Sequence, residues 1–225
     1  MCGIAGELRF DGAAPEPATL KRMVARLARR GPDGEGLHFD GPAALGHRRL
    51  AIIDLTDRSR QPMVDPATGL ALVFNGTIYN YPQLRAELIG KGHVFHSDGD
   101  TEVILRAYAE WGDDCVARLH GAFAFAIWDR LAGTLFLARD RLGIKPLYYS
   151  LDDRRLRFAS SPQALLAAGD VDTSIDAEAL HHHLTLHAVV PAPRTLLGGA
   201  RKLEPASFLR VDAQGRREDR PYWRL

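Results

Sequence analysis

The stretch Ala122-Phe123-Ala124-Phe125-Ala126-Ile127-Trp128 decides the fold class. It is nearly all apolar, with no polar residue on either alternate face. A strand of this kind is covered on both sides, so the chain needs a further layer above and below it. It is also the longest apolar stretch and falls far short of the ~20 residues that span a bilayer.

Working outward, residues 134–138, 147–150 and 156–160 follow at hairpin-like spacing, with Ala132-Gly133 and Asp152-Asp153 as turns. Upstream, residues 37–39, 43–53 and 70–74 read as strands broken by Gly, Pro and Asp. The chain opens on the alternating Gly6-Glu7-Leu8-Arg9-Phe10, ended by Asp11-Gly12. Helices lie between these strands. Leu20, Met23, Val24 and Leu27 recur at helical spacing, with Thr19 as the expected cap and Gly31 as the stop. Residues 81–89 run to the Gly90-Lys91-Gly92 stop. Residues 101–111 place Val103, Ile104, Ala107, Tyr108 and Trp111 on one face, and 115–119 add a turn or two.

Strands, then helices, then strands predict an α+β fold with mainly antiparallel sheets. A layered sandwich of helices over two sheets satisfies the pattern. Residues 2–160 read as the core. Residues 161–225 read as an appendage and connector. They hold short helical signals at 161–168 and 176–186, the Pro-rich Val190-Pro191-Ala192-Pro193, and a polar run at 212–220.

Composition narrows the function. The 225 residues carry 29 Lys+Arg against 28 Asp+Glu, a formal net charge of +1. That balance argues against a surface built for nucleic acid or anionic lipid. No basic segment followed by a long apolar run opens the chain, so no signal peptide is expected. Cys2 and Cys115 make no disulfide framework, and a reducing, cytoplasmic setting is expected.

Cys2 is the most informative residue. With Met1 removed it would carry a thiol and a free α-amine together. An α-amine titrates near pH 7.7–8.0 in general, so it accepts a proton close to neutrality. The thiolate is a strong nucleophile. A terminal Cys can therefore serve as nucleophile and base at once. Alone, a Cys at position 2 is more often an accident of sequence.

The surrounding motifs change that reading. Met1-Cys2-Gly3-Ile4-Ala5-Gly6 is followed by Arg30-Gly31-Pro32-Asp33-Gly34, and then by His47-Arg48-Arg49-Leu50-Ala51-Ile52-Ile53-Asp54. Phe74-Asn75-Gly76-Thr77-Ile78-Tyr79-Asn80, Gly99-Asp100-Thr101-Glu102-Val103 and the run from Ala138 to Tyr149 complete the series. In this order they resemble the glutamine amidotransferase domain of asparagine synthetases, a class II amidotransferase with the N-terminal nucleophile hydrolase fold. The resemblance runs from Cys2 to about Tyr222 and implies a four-layer αββα sandwich. The finer wording of residues 6–12 and 186–193 is closer to the branch that amidates N-acetylglutaminylglutamine.

The resemblance assigns roles by position. Cys2 matches the nucleophile. Arg49 matches the Arg that binds the glutamine α-carboxylate, where a planar guanidinium fits in two places. Its neighbour Arg48 reads as a surface or structural charge. Asp100 matches the acceptor of the α-ammonium, although an Asp there also reads as a helix cap. Asn75 and Gly76 match an oxyanion hole, although Asn-Gly is also a common hairpin turn. Thr77 stands where many of these synthetases have Glu, which removes one contact to the ammonium. Arg30 and Asp33 read as loop architecture, the 138–149 motif as core strand and loop, and Cys115 as a small buried residue. His181, His182, His183 and His187 form no ligand set, and no metal is expected.

The implied reaction is glutamine hydrolysis, which needs no cofactor. The ammonia would feed a C-terminal ATP-dependent synthetase domain, in cis or in trans, that requires ATP and Mg²⁺. No Ser-Gly-Gly-x-Asp-Ser pyrophosphate loop occurs in this sequence, so the chain is expected to be a fragment or to work with a separate chain. Glutamine and that synthetase are the expected partners, with a homodimer left open. Two other functions stay open from residues alone: an N-terminal nucleophile hydrolase acting on another amide, and a regulatory domain that binds glutamine without turnover.

Overall fold

The computed structural model describes residues 1–224. Twelve strands and six α-helices follow one another. The order is β1 (Gly3–Arg9), α1 (Pro17–Ala25), β2 (Gly34–Asp40), β3 (Ala43–Arg49), β4 (Met63–Asp65) and β5 (Leu70–Ile78). Then come α2 (Tyr81–Gly90), α3 (Asp100–Trp111), α4 (Cys115–Arg118), β6 (Gly121–Asp129), β7 (Thr134–Arg139), β8 (Tyr148–Leu151) and β9 (Arg155–Ala159). The chain closes with α5 (Pro162–Leu166), α6 (Ala177–Thr185), β10 (Arg201–Lys202), β11 (Ser207–Asp212) and β12 (Arg217–Pro221).

The strands form two six-stranded sheets, in the orders β10-β8-β9-β1-β3-β2 and β12-β11-β7-β6-β5-β4. Every strand pairing within them is antiparallel. Side-chain alternation sorts the core into three packed zones. Ile4 and Leu8 of the first sheet meet Ala71, Val73, Ala124, Ala126, Leu135 and Leu137 of the second, which places this zone between the sheets. The other face of the second sheet, with Phe74, Phe123, Phe125 and Phe136, packs on α2, α3 and α4. The outer face of the first sheet, with Ala5 and Ala44, packs on α1 and α5. The result is a sandwich of helices, sheet, sheet and helices. The apolar stretch that opened the reading is β6. Its phenylalanines face the helices and its alanines face the other sheet, which is why both alternate faces are apolar.

Four details differ from the sequence reading. α1 ends at Ala25, six residues before Gly31, the expected stop, and turns carry the chain between them. Thr19 lies inside α1: Glu16 occupies the cap position, Pro17 starts the helix, and the Thr19 hydroxyl donates to Glu16 Oε2 at 3.0 Å. The strand expected over 43–53 stops at Arg49, because the Asp33 carboxylate captures the Ala51 N–H at 2.9 Å and turns the chain away. The strand expected over 70–74 continues to Ile78.

Residues 161–225, read as an appendage and connector, return to both sheets. β10 pairs with β8, β11 pairs with β7, and Leu209 and Val211 point into the zone between the sheets. The polar run at 212–220 hides β12 because that strand is an edge whose side chains are mostly exposed.

Candidate active site

Cys2 sits just before β1, at the end of a strand flanked on both sides. Gly3 pairs with Arg48 of β3, while Ala5 pairs with Ala159 of β9. Ser160 adds a second tie, accepting the Ile4 N–H on its hydroxyl at 3.0 Å and donating its own N–H to the Ile4 carbonyl at 2.9 Å. Arg30 donates to the Cys2 carbonyl at 3.0 Å. The backbone around the thiol is thus fixed from three directions. The sulfur itself lies against Leu50, whose N–H donates to Sγ at 3.3 Å and whose carbonyl accepts from it at 3.5 Å. Burial pushes the thiol pKa up, and Asp100 adds to the rise. The Leu50 N–H and the positive charges of the chain amino terminus and Arg49 pull the other way.

Cys2 opens into a pocket whose walls include Arg49, Leu50, Asn75, Gly76, Thr77 and Asp100, with Met1 and Lys145 at the rim. All five residues singled out from sequence therefore meet in one place. They come from both sheets and a helix: Cys2 immediately precedes β1 and Arg49 ends β3 of the first sheet, Asn75 and Gly76 lie in the second, and Asp100 starts α3.

Asn75 and Gly76 are not a hairpin turn. They lie within β5, opposite Ala124 and Phe123 of β6. Asn75 is almost fully buried, and its Nδ2 has no hydrogen-bond partner among the described residues. An unpaired buried amide is costly, so such a donor marks a place where an acceptor is meant to arrive. Gly76 is required by space. A Cβ there would stand 2.3 Å from the Ala122 carbonyl oxygen and 2.7 Å from the Phe123 Cα.

The free edge of β5 explains how Gly76 presents its N–H. Alternate N–H groups of a strand point the same way. On this edge the Phe74 N–H is taken by Gln61 Oε1 at 2.6 Å and the Ile78 N–H by Asp100 Oδ2 at 3.0 Å. Gly76 falls between them, opposite Phe123, whose own N–H and carbonyl bond to Asp140 on the far side. Its N–H is left facing the pocket.

The opposite wall is a loop. Arg49 donates through Nη1 to the Thr56 carbonyl at 2.9 Å and through Nη2 to the Asp54 carbonyl. The Asp54 carboxylate holds that loop together, accepting from the Ser59 hydroxyl at 2.6 Å, the Thr56 N–H at 2.8 Å and the Asp98 N–H at 3.2 Å. Burial works against the charge, but these bonds outweigh it and keep the carboxyl well below the usual range. Asp33 shapes the start of the loop: its N–H donates to the Arg49 carbonyl at 2.9 Å and its carboxylate takes the Ala51 N–H. Arg48 points elsewhere, to Glu35 at 2.6 Å.

Asp100 is the first residue of α3 rather than its cap, which is Gly99. Burial raises its carboxyl to about 6, against the lowering effect of the Ile78 N–H and of its own helix N-terminus. A buried carboxyl with a raised pKa beside a thiol is the kind of perturbed group that gathers at functional sites.

Other features fall outside the pocket. Cys115 is fully buried in the helix-side core, and its thiol is pushed far up by burial. α6 ends at Thr185, so His187, at φ 50°, is not on one helix face with His183. No group of three or more His, Cys, Asp or Glu among the described residues is arranged to hold a metal ion. No helix among them is long and apolar enough to cross a membrane. In the 138–149 motif, Arg139 binds the carbonyls of Lys145, Gly143 and Leu203, and Asp140 caps the loop between. It is structural, and only Lys145 reaches the pocket. Sequence reading missed Asp54, Ser59, Gln61 and the Leu50 backbone. Only the Asp54-Leu55-Thr56 run carried a local signal, that of a side chain turning back on the backbone two residues on.

A model of the glutamine amidotransferase domain matches residues 1–223. The chain belongs to the glutamine amidotransferase family. Asparagine synthetase [glutamine-hydrolyzing] 3 of Bacillus subtilis is 37% identical over 96% of this chain and 35% of its own length. A putative glutamine-hydrolysing asparagine synthetase of Mycobacterium tuberculosis is 40% identical over 95% of this chain and 35% of its own. The chain thus spans about a third of the length of these relatives. Among solved structures, the glutamine phosphoribosylpyrophosphate amidotransferase of B. subtilis superposes with a TM-score of 0.73 at 21% identity, over 100% of this chain and 50% of that one. At that identity the likeness speaks for the fold. The amidotransferase domain here is the α+β sandwich described above.

Proposed function

We propose that this domain hydrolyses glutamine through Cys2, once Met1 has been removed. The observation that carries the reading is the pairing of a half-buried Cys2 thiol with a buried, unpartnered Asn75 amide in one pocket. Arg49 receives the α-carboxylate and Asp100 the α-ammonium, which leaves the γ-amide toward Cys2. Ground-state binding on the loop side and charge stabilisation on the strand side are then separate tasks.

The chemistry follows in two halves. The α-amine of Cys2 takes the thiol proton while Sγ forms a bond to the γ-carbonyl carbon. The carbonyl oxygen becomes an oxyanion, and the Asn75 Nδ2 and Gly76 N–H donate to it. When the carbon–nitrogen bond breaks, the protonated amine delivers its proton to the leaving nitrogen. Ammonia departs and a γ-glutamyl thioester remains. Water then attacks the thioester carbon, giving its proton to the amine. Collapse expels the Cys2 sulfur, which regains a proton, and glutamate is released.

The ammonia is proposed to serve an ATP- and Mg²⁺-dependent amidation, in cytoplasmic surroundings. The asparagine synthetase relatives support that use, and their greater length leaves room for it in a further domain.

The test is glutamate release from glutamine by this chain, with the amino terminus checked by intact mass. Turnover in the Met1-free form, lost in Cys2→Ala by more than about a thousandfold, supports the assignment. Equal turnover in Cys2→Ala, or none in a folded and correctly processed chain, overturns it for the isolated domain.

A further inference from the structure

The edge of β5 takes its hydrogen bonds from side chains rather than from a strand. β4 pairs with β5 only from Leu70 to Leu72. Beyond that point no strand among the described residues neighbours the edge, yet it lies largely buried, and its backbone groups need partners. Two side chains supply them at Phe74. Gln61 Oε1 accepts the N–H at 2.6 Å, and the His47 ring nitrogen Nε2 bonds the carbonyl at 3.2 Å. Both residues are buried.

Gln61 is held in turn. Its Nε2 donates to the Thr101 hydroxyl at 3.2 Å, one residue past Asp100, whose carboxylate takes the Ile78 N–H. The start of α3 therefore grips β5 at two points. One runs through Thr101 and Gln61 to Phe74, the other through Asp100 to Ile78. Asn75 and Gly76 lie between them. The loop bearing Gln61 has little freedom of its own, since it presses on β2 so closely that a Cβ on Gly36 would stand 2.1 Å from the Gln61 carbonyl oxygen.

We propose that Gln61, locked by Thr101, is a positioning residue that holds the β5 edge so that the Asn75 and Gly76 donors stand ready for the oxyanion. This rests on the glutaminase reading above. His47 serves the same edge from the first sheet. Burial holds its pKa down to about 4, outweighing the raising effect of the Phe74 carbonyl, so the ring is neutral at working pH and Nε2 carries the proton it donates.

Such a residue acts through the strand: it lines the same pocket as Cys2, but its amide is already engaged, the oxygen by the Phe74 N–H and the nitrogen by the Thr101 hydroxyl. Its loss should lower kcat and leave KM nearly alone, because the donors matter in the transition state and not in the ground state. Removal of one oxyanion donor costs about 10²–10³ in kcat, so displacing an intact donor should cost somewhat less.

The test uses the Met1-free domain with three readouts: kcat and KM for glutamine, and the rate of Cys2 alkylation by iodoacetamide. Alkylation by iodoacetamide proceeds without an oxyanion and reports only thiol reactivity and access. In Gln61→Met, kcat should fall about 10- to 100-fold, with KM within about threefold and alkylation within about twofold of the parent. Thr101→Val, which keeps the volume and removes only the hydroxyl, should lower kcat by about 3- to 10-fold. The double variant should be no slower than Gln61→Met, because Thr101 acts through Gln61. If Gln61→Met does not fold, Thr101→Val carries the same test. A raised KM with kcat intact overturns the proposal, as does alkylation falling in step with kcat or full additivity in the double variant. Each of those results leaves the glutaminase assignment standing. Absence of turnover in the parent removes both.

Discussion

The two walls of the pocket are built on opposite plans. The strand wall, Phe74 to Ile78, is backbone in a sheet, buried and pinned from both ends by side chains. The loop wall, Arg49 to Ser59, is irregular chain folded around one carboxylate, and it leaves Ile52 and Leu55 70% and 73% exposed. In the proposed reaction the strand wall would offer donors to a charge that exists only during turnover, and the loop wall a guanidinium to a charge the substrate always carries. One wall is ordered by a strand ladder and side-chain clamps, the other by a single carboxylate that gathers an irregular loop.

The largest expected effect attacks the strand wall directly. Asn75→Ala should lower kcat for glutamine about 10²–10³-fold with a small change in KM, read by steady-state glutamate release. If KM rises instead while kcat holds, the division of labour between the walls is wrong. On the loop wall, Arg49→Lys should do the reverse. A lysine keeps the charge but loses the planar pair of donors and the grip on the Asp54 and Thr56 carbonyls, so KM should rise about 10- to 100-fold and kcat change less.

Asp100, at the start of α3, clamps Ile78 of the strand wall and is the proposed acceptor of the ammonium. Its carboxyl titrates at about 6, raised from an ordinary value of 3.8 by burial. Below that pH the group is neutral and attracts the ammonium less, so on the acid side of 6 kcat/KM should fall more steeply than protonation of the Cys2 α-amine alone would make it, and Asp100→Asn should lose that extra steepness. The same shift sets a stability trend. A raised carboxyl pKa favours the folded state while the group is protonated. That contribution is whole below about pH 4 and is lost as pH rises through 6, to the extent of about 3 kcal/mol. Asp100→Asn, which can still accept from Ile78, should therefore raise the Tm of the unliganded domain at pH 7, flatten the acid limb and weaken glutamine binding.

The smallest effect tests a departure from the family pattern. Thr77→Glu restores the carboxylate found in many of these synthetases and should lower KM by a few-fold through one more charge-assisted contact. An unchanged KM shows that Asp100 alone satisfies the ammonium.

Much of this protein was legible in one dimension. The double-faced apolar run of β6 required layers on both sides. The spacing of Leu20, Met23 and Val24 and of Val103, Ile104 and Ala107 placed the covering helices. The order of the motifs from Cys2 to Tyr149 named the family and, within it, the five residues that meet at the pocket. Local chemistry was harder to read. Asn75-Gly76 has the wording of a turn, and only the pairing with β6 shows that it is strand. The polar run at 212–220 has the wording of a loop, because an edge strand such as β12 is not asked to be apolar.

What the sequence determined by itself was composition, layering and the identity of the residues that gather at the pocket, since each is written in residue type, period and motif order. The tertiary structure decided which partners those groups have. Gln61 meets Phe74, Thr101 meets Gln61, and Asp54 gathers Ser59 and Asp98, all across gaps in the chain that carry no periodic signal. The reason is physical. A buried backbone edge without a neighbouring strand must take its hydrogen bonds from whatever side chains the packing brings beside it, and only the closed fold chooses which these are.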